Sequence, residues 1–152
     1  MQQFRVGSFL FTMLGILTLA LSASANSSST LTIDVDGLRN REGQVCLSVF
    51  AASVGFPTKT ANAVQSQCIK ITDAPFKVTL RQLQPGSYAV AVLHDENNDR
   101  QANNNFLGIP EEGFGFSRNP AIRFGPPKFA DSAVPLMGSS TNIKIQLKYL
   151  AQ

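Results

Sequence analysis

The sequence predicts an all-β fold, a single antiparallel β-sandwich of about seven strands. Three observations carry this. Apolar and polar residues alternate with period two in segment after segment. Gly, Pro and Asn breaks separate those segments. Beyond the N-terminal region, no stretch sustains a 3.6-residue apolar period.

The chain opens MQQFRVGSFLFTMLGILTLALSASAN. Arg5 precedes an apolar run from about Phe9 to Leu21, and Ala23-Ser24-Ala25 supplies the small residues of a cleavage site. This is the pattern of a secretory signal peptide over residues 1–25, and the run is shorter than the roughly 20 residues needed to span a bilayer. The domain is then expected over 26–152, with no membrane span of its own. The formal charge of +3 falls to +2 without Arg5, and Lys and Arg are scattered. No basic stripe marks a nucleic-acid-binding surface.

The strands follow in order. LTIDVDGL sets Leu31, Ile33 and Val35 against Thr32, Asp34 and Asp36. GQVCLSVFA places Val45, Leu47 and Val49 on one face, and QCIKIT alternates less cleanly around Ile69 and Ile71. PFKVTLRQL buries Phe76, Val78 and Leu80. SYAVAVLH has Tyr88, Val90 and Val92 on one face and small Ala89 and Ala91 on the other, as expected of a central strand covered on both sides. NIKIQLKYL closes the series with Ile143, Ile145, Leu147 and Tyr149 inward. A short helix fits only between Ala52 and Gln67. Cys46 and Cys68 are the only cysteines, and in an exported chain they are expected to form a disulfide. It would be worth roughly 3 kcal/mol in the chain-entropy account.

The segment from about 95 to 127 breaks the pattern. It is long for a loop, yet it holds Phe106, Leu107, Ile109, Phe114, Phe116, Ile122 and Phe124. It is expected to fold back over one end of the sandwich. It opens HDENNDRQANNN, in which Asp95, Asn97 and Asp99 stand at alternate positions. That spacing lets three oxygens curl towards one Ca²⁺, although Arg100 and Phe106 replace the Gly and Glu of an EF-hand. Gln101, Asn103, Glu111 or Glu112 could complete such a site. The other reading is a self-bonded turn, since Asp and Asn bond their own backbone. His94 is the only histidine, a structural residue or, in an enzyme, an acid/base. Phe114 and Phe116 either plug the end of the sandwich or line an apolar pocket.

Three linked motifs resemble those of a bacterial family of exported proteins, the domain of unknown function 2141. They are Gly86-Ser87-Tyr88-Ala89-Val90 running to His94-Asp95-Glu96-Asn97, then Leu107-Gly108 through Pro110, Glu112, Gly113, Gly115, Phe116 and Ser117, then Gly125-Pro126-Pro127 with Phe129. Arg100 and Ala102 depart from the residues that family members often carry there. The resemblance implies an exported sandwich similar to transthyretin-like or immunoglobulin-like modules, and it supplies no reaction.

The sequence thus points to a non-enzymatic binding or accessory module of the periplasm or extracellular space. Its partner is a small ligand or an envelope or surface protein. The candidate loop is built on His94, Asp95, Asn97, Asp99, Glu112, Phe114 and Phe116, with no cofactor beyond Ca²⁺ at Asp95, Asn97 and Asp99. The alternatives are an enzyme using His94 with loop carboxylates and a calcium-stabilised structural module.

Overall fold

The computed structural model describes residues 28–72, 75–123 and 125–151. The expected signal peptide at 1–25 and Phe124 lie outside the described residues. Among the described residues the fold is a β-sandwich of eight strands. β1 (Ser29–Asp36), β4 (Phe76–Leu83) and β8 (Ser140–Gln146) form one sheet in the order β4-β1-β8. The second runs β3 (Gln65–Lys70), β2 (Gln44–Phe50), β5 (Gly86–Asp95) and β6 (Gly113–Phe116), with β7 (Val134–Leu136) also on β5.

The alternating residues do what their pattern predicts. Leu31, Ile33 and Val35 of β1, Val45, Leu47 and Val49 of β2, Phe76, Val78 and Leu80 of β4, and Tyr88, Val90 and Val92 of β5 meet in one core. On β4 the alternation breaks once. Gln82 takes a positive φ of 62°, and the register with β1 shifts there. This bulge turns Leu83 inward, where strict alternation would have faced it to water.

One pairing departs from the expected antiparallel sandwich: β8 runs parallel to β1. β7 pairs antiparallel with β5 and ends beside Gly86, at the pole where β1 begins. The Met137–Ser139 turn then crosses to the other sheet, so β8 starts alongside β1 with Thr30 N–H donating to Ser139 O. The expected helix between Ala52 and Gln67 is only a 3-10 turn at Thr60–Asn62, and a four-residue helix, α1, occurs instead at Phe129–Ser132.

The long segment is also more regular than expected. Gly113–Phe116 is a strand, paired with Ala91–His94 of β5. Its glycines face inward, where the C-terminal segment crosses. A Cβ on Gly115 would lie 2.7 Å from Ile145, and one on Gly113 would lie 2.4 Å from the Tyr149 ring. That bare backbone lets Phe114 exchange hydrogen bonds with Lys148, which joins the two sheets along one side. Beyond β6, the Asn119 amide serves β8 as a partial strand partner, donating to Lys144 O and accepting from Gln146 N–H.

Phe114 and Phe116 therefore face outward and do not plug the sandwich end. Phe116 packs with Phe56, which also meets Phe50 and Phe129 edge-on. This aromatic layer covers the Ala89 and Ala91 side of β5, so the small residues are there to admit the rings. Cys46 and Cys68 sit directly opposite on β2 and β3 and form the expected disulfide.

Candidate functional site

β5 ends in two polar residues that are wholly buried, His94 and Asp95. Successive strand residues point to opposite faces. His94 therefore turns inward, in phase with Val90 and Val92, while Asp95 turns outward, and each collects a different part of the chain.

His94 Nε2 lies 2.9 Å from the Glu42 carbonyl oxygen, and Nδ1 lies 2.6 Å from the Tyr149 hydroxyl. A carbonyl only accepts, so Nε2 carries the proton in the neutral ring. Nδ1 then accepts from Tyr149 O–H, whose oxygen accepts from Arg39 N–H. Both ring nitrogens are occupied, which is the arrangement of a structural joint. Burial pushes the Tyr149 phenol above its usual pKa, so it keeps the proton that this chain requires. Over the same ring lies the Arg39 guanidinium, 4.6 Å from the centroid, paired through both arms with the Glu96 carboxylate. That pairing, with help from Asn40, holds Glu96 below the usual carboxylate range.

Asp95 organises the loop. Its Oδ1 accepts from Asp99 N–H, and its Oδ2 accepts from Arg100 N–H and the Gln44 side chain. Asn97 Oδ1 accepts from Asp99 N–H, and Asp99 accepts from Gln101 N–H and from the amides of Asn103 and Asn97. These bonds hold Asp99 below its ordinary pKa, Asn103 contributing most. Asn98 and Arg100 take positive φ, the conformation Gly occupies at the sixth position of a calcium loop. The D-x-N-x-D run is thus a self-bonded turn.

Glu112 closes the loop from its far end. One oxygen accepts from Glu96 N–H and the other from Asn103 N–H, so it clasps both ends of the turn. Burial pushes its pKa up, and the nearby Asp95 and Asp99 charges add to that. Asn103 Oδ1 is buried without a partner. Among the described residues, no three His, Cys, Asp or Glu side chains are grouped to hold a metal by themselves. Any cation here would rely on amide oxygens as well.

Between Asn103 and Glu111 the chain makes a short finger. Glu111 N–H donates to Asn103 O, and Asn105 N–H to Ile109 O. The Asn105 side chain caps the turn by accepting from Leu107 and Ile109 N–H. At the tip Phe106 is 95% exposed and Leu107 67%. Sequence reading expected these apolar residues to fold back. It also missed Arg39, Gln44 and Tyr149, whose roles come from partners far along the chain, and Asn105, whose partners are local. Asn105 alone left a signal, as an Asn just before an apolar Gly-containing turn.

A family model described as an uncharacterized protein conserved in bacteria (DUF2141) matches residues 33–144, and the chain belongs to that family. No curated protein matches the chain. No solved structure matches it.

The Glu112 clasp carries a pH signature. A group whose pKa is raised by folding contributes stability that is fully present below its unfolded value, ordinarily 4.5, and lost as the pH rises through the folded value. Asp99 has the opposite sign: its contribution is present above its ordinary 3.8 and lost as the pH falls through the lowered value. The difference in unfolding temperature between the protein and a Glu112→Gln variant, measured with chelator present, should shift in favour of the unaltered protein as the pH falls from neutral towards about 4.5. A difference that does not change with pH over that interval would contradict the role given to Glu112.

Proposed function

We propose that this member of the bacterial family is an exported, non-enzymatic module that binds a partner protein through the finger between Asn103 and Glu111. The observation that supports this most is the tip itself. An aromatic and an aliphatic side chain stand side by side in water on a turn held by Asn105. They add nothing to the core, and ordered loops on a rigid sheet are where recognition is usually placed. Export is supported by the leader pattern and the disulfide. The occupied, buried ring of His94 weighs against the enzymatic alternative. On this reading His94, Asp95, Asn97, Asp99 and Glu112 are the scaffold, and Phe114 and Phe116 belong to the outer aromatic layer.

The test is site-specific photocrosslinking in the native bacterium, with a photoreactive phenylalanine analogue at position 106 and, as control, at exposed Thr79 on the other sheet. A discrete adduct is expected from position 106 alone, lost when Leu107→Asp is added. Surface changes of this kind should move stability by no more than about 0.5 kcal/mol. Identical patterns from the two positions would remove the finger as the binding element.

A second reading, calcium stabilisation of the same loop, is favoured by the partnerless Asn103 Oδ1 and by the crowding of Asp95, Asp99 and Glu112. Asp95, Asn97, Asp99, Asn103 and Glu112 would supply the oxygens. A native-only ligand at 100 times its dissociation constant adds about 2.7 kcal/mol. For a domain of this size that is on the order of 10 °C in unfolding temperature. Excess Ca²⁺ against chelator, under non-reducing conditions, should give a rise of that order. No shift would eliminate this reading and leave the finger proposal standing.

A further inference from the structure

The Cys46–Cys68 disulfide has an unusual neighbour. Both cysteines are only partly buried, so the bridge is not sealed within the core. Yet Cys46 Sγ lies 3.9 Å from Asp95 Oδ2, and Asp95 is fully buried. A disulfide sulfur carries no proton, so this contact is no hydrogen bond. It places a carboxylate against a bond that thiols attack only as their anions.

We propose that Asp95 is an electrostatic guard of the disulfide, slowing its exchange with external thiols. In exchange, a thiolate forms a new S–S bond to one cysteine sulfur, and the other leaves as thiolate with the electron pair of the broken bond. A second thiolate then releases the mixed disulfide. Two thiols are oxidised to one disulfide, and two cysteines are reduced and take up two protons. Attack on Cys46 brings the incoming anion up to Asp95. Attack on Cys68 makes Cys46 the leaving group, so charge grows beside Asp95 again. Neither route avoids the repulsion.

The surroundings do not cancel that charge. Asp95 is satisfied by uncharged donors, the Gln44 amide and the Asp99 and Arg100 backbone N–H groups. Among the described residues Asp95 forms no ion pair; Lys70, paired in register with Gln44 across β2 and β3, and Arg100 carry cations on neighbouring segments. Both are exposed, and solvent screens them more than it screens a buried carboxylate. The residue that orders the loop would therefore also set how long the staple survives in the presence of thiols.

The experiment reduces the oxidised full-length domain, with chelator present, using cysteamine, 2-mercaptoethanol and mercaptoacetate at equal thiolate concentration. Loss of the bridge is followed by trapping and mass spectrometry. Each rate is divided by that of the same thiol with an uncharged small-molecule disulfide, which removes the rise of nucleophilicity with thiol pKa. The guard predicts these ratios falling in that order, cationic to neutral to anionic, with about a tenfold spread between the extremes. Asp95→Asn, which keeps the shape and one acceptor oxygen, should speed all three and narrow the spread. Should that variant fail to fold, the series on the unaltered protein decides the matter alone. Equal ratios for the three thiols, or a folded Asp95→Asn protein reduced no faster, would overturn the proposal.

Discussion

The structure depends on the cost of burying polar groups at the end of its central strand. An unpaired buried donor or acceptor costs about 1–3 kcal/mol. His94 and Asp95 are both fully buried, and together they carry four polar side-chain atoms that need partners. Being adjacent on a strand, they look to opposite sides. The partners of His94 come from the connection after β1 and from the chain's C-terminal end, and those of Asp95 from the loop itself and the start of β2. Two residues thereby fix three segments that have no regular structure of their own. The same requirement explains Glu112, which is buried because two backbone N–H groups at the loop ends need an acceptor.

The Gly-Phe-Gly-Phe strand solves a different problem at the same end. A sheet edge left open exposes backbone donors and acceptors that invite unwanted pairing. Here the chain leaving β8 passes over β6 and bonds to it, and only glycines on the inner face permit that approach. The phenylalanines, turned outward, then join the aromatic layer over β5. One four-residue stretch closes the side of the sandwich and supplies its second, smaller core.

The parts of the fold that rest on local pattern were legible in the sequence. Period-two alternation located β1, β2, β4, β5 and β8 and named their buried residues, and Ala89 and Ala91 announced a strand covered on both faces. The parts that rest on contacts between distant residues were not. The parallel β1–β8 pairing follows from the path of the chain through β7, which no local pattern encodes. β6 was hidden because its alternation is of glycine with phenylalanine instead of polar with apolar. At the site, the density of Asn and Asp correctly marked a turn. The partners that complete it, Gln44 some fifty residues upstream and Tyr149 near the C-terminus, left no mark of their own. The exposed Phe106 was misread for a related reason, since an apolar residue in a long loop is normally expected to pack.

A scaffold and a tip can therefore be told apart within one loop. Asp95, Asn97, Asp99 and Glu112 spend their oxygens on holding the backbone, while Phe106 and Leu107 hold nothing. The central claim is that the buried carboxylates order the loop from within. Amide hydrogen exchange on the oxidised domain, with chelator present, reads this directly. The account predicts that the amides of Asp99, Arg100 and Asn103 exchange slowly, and that Asp95→Ala frees those of Asp99 and Arg100 while β1 and β8 stay protected. Exchange of the three at the rate of an unstructured peptide in the unaltered protein would contradict it.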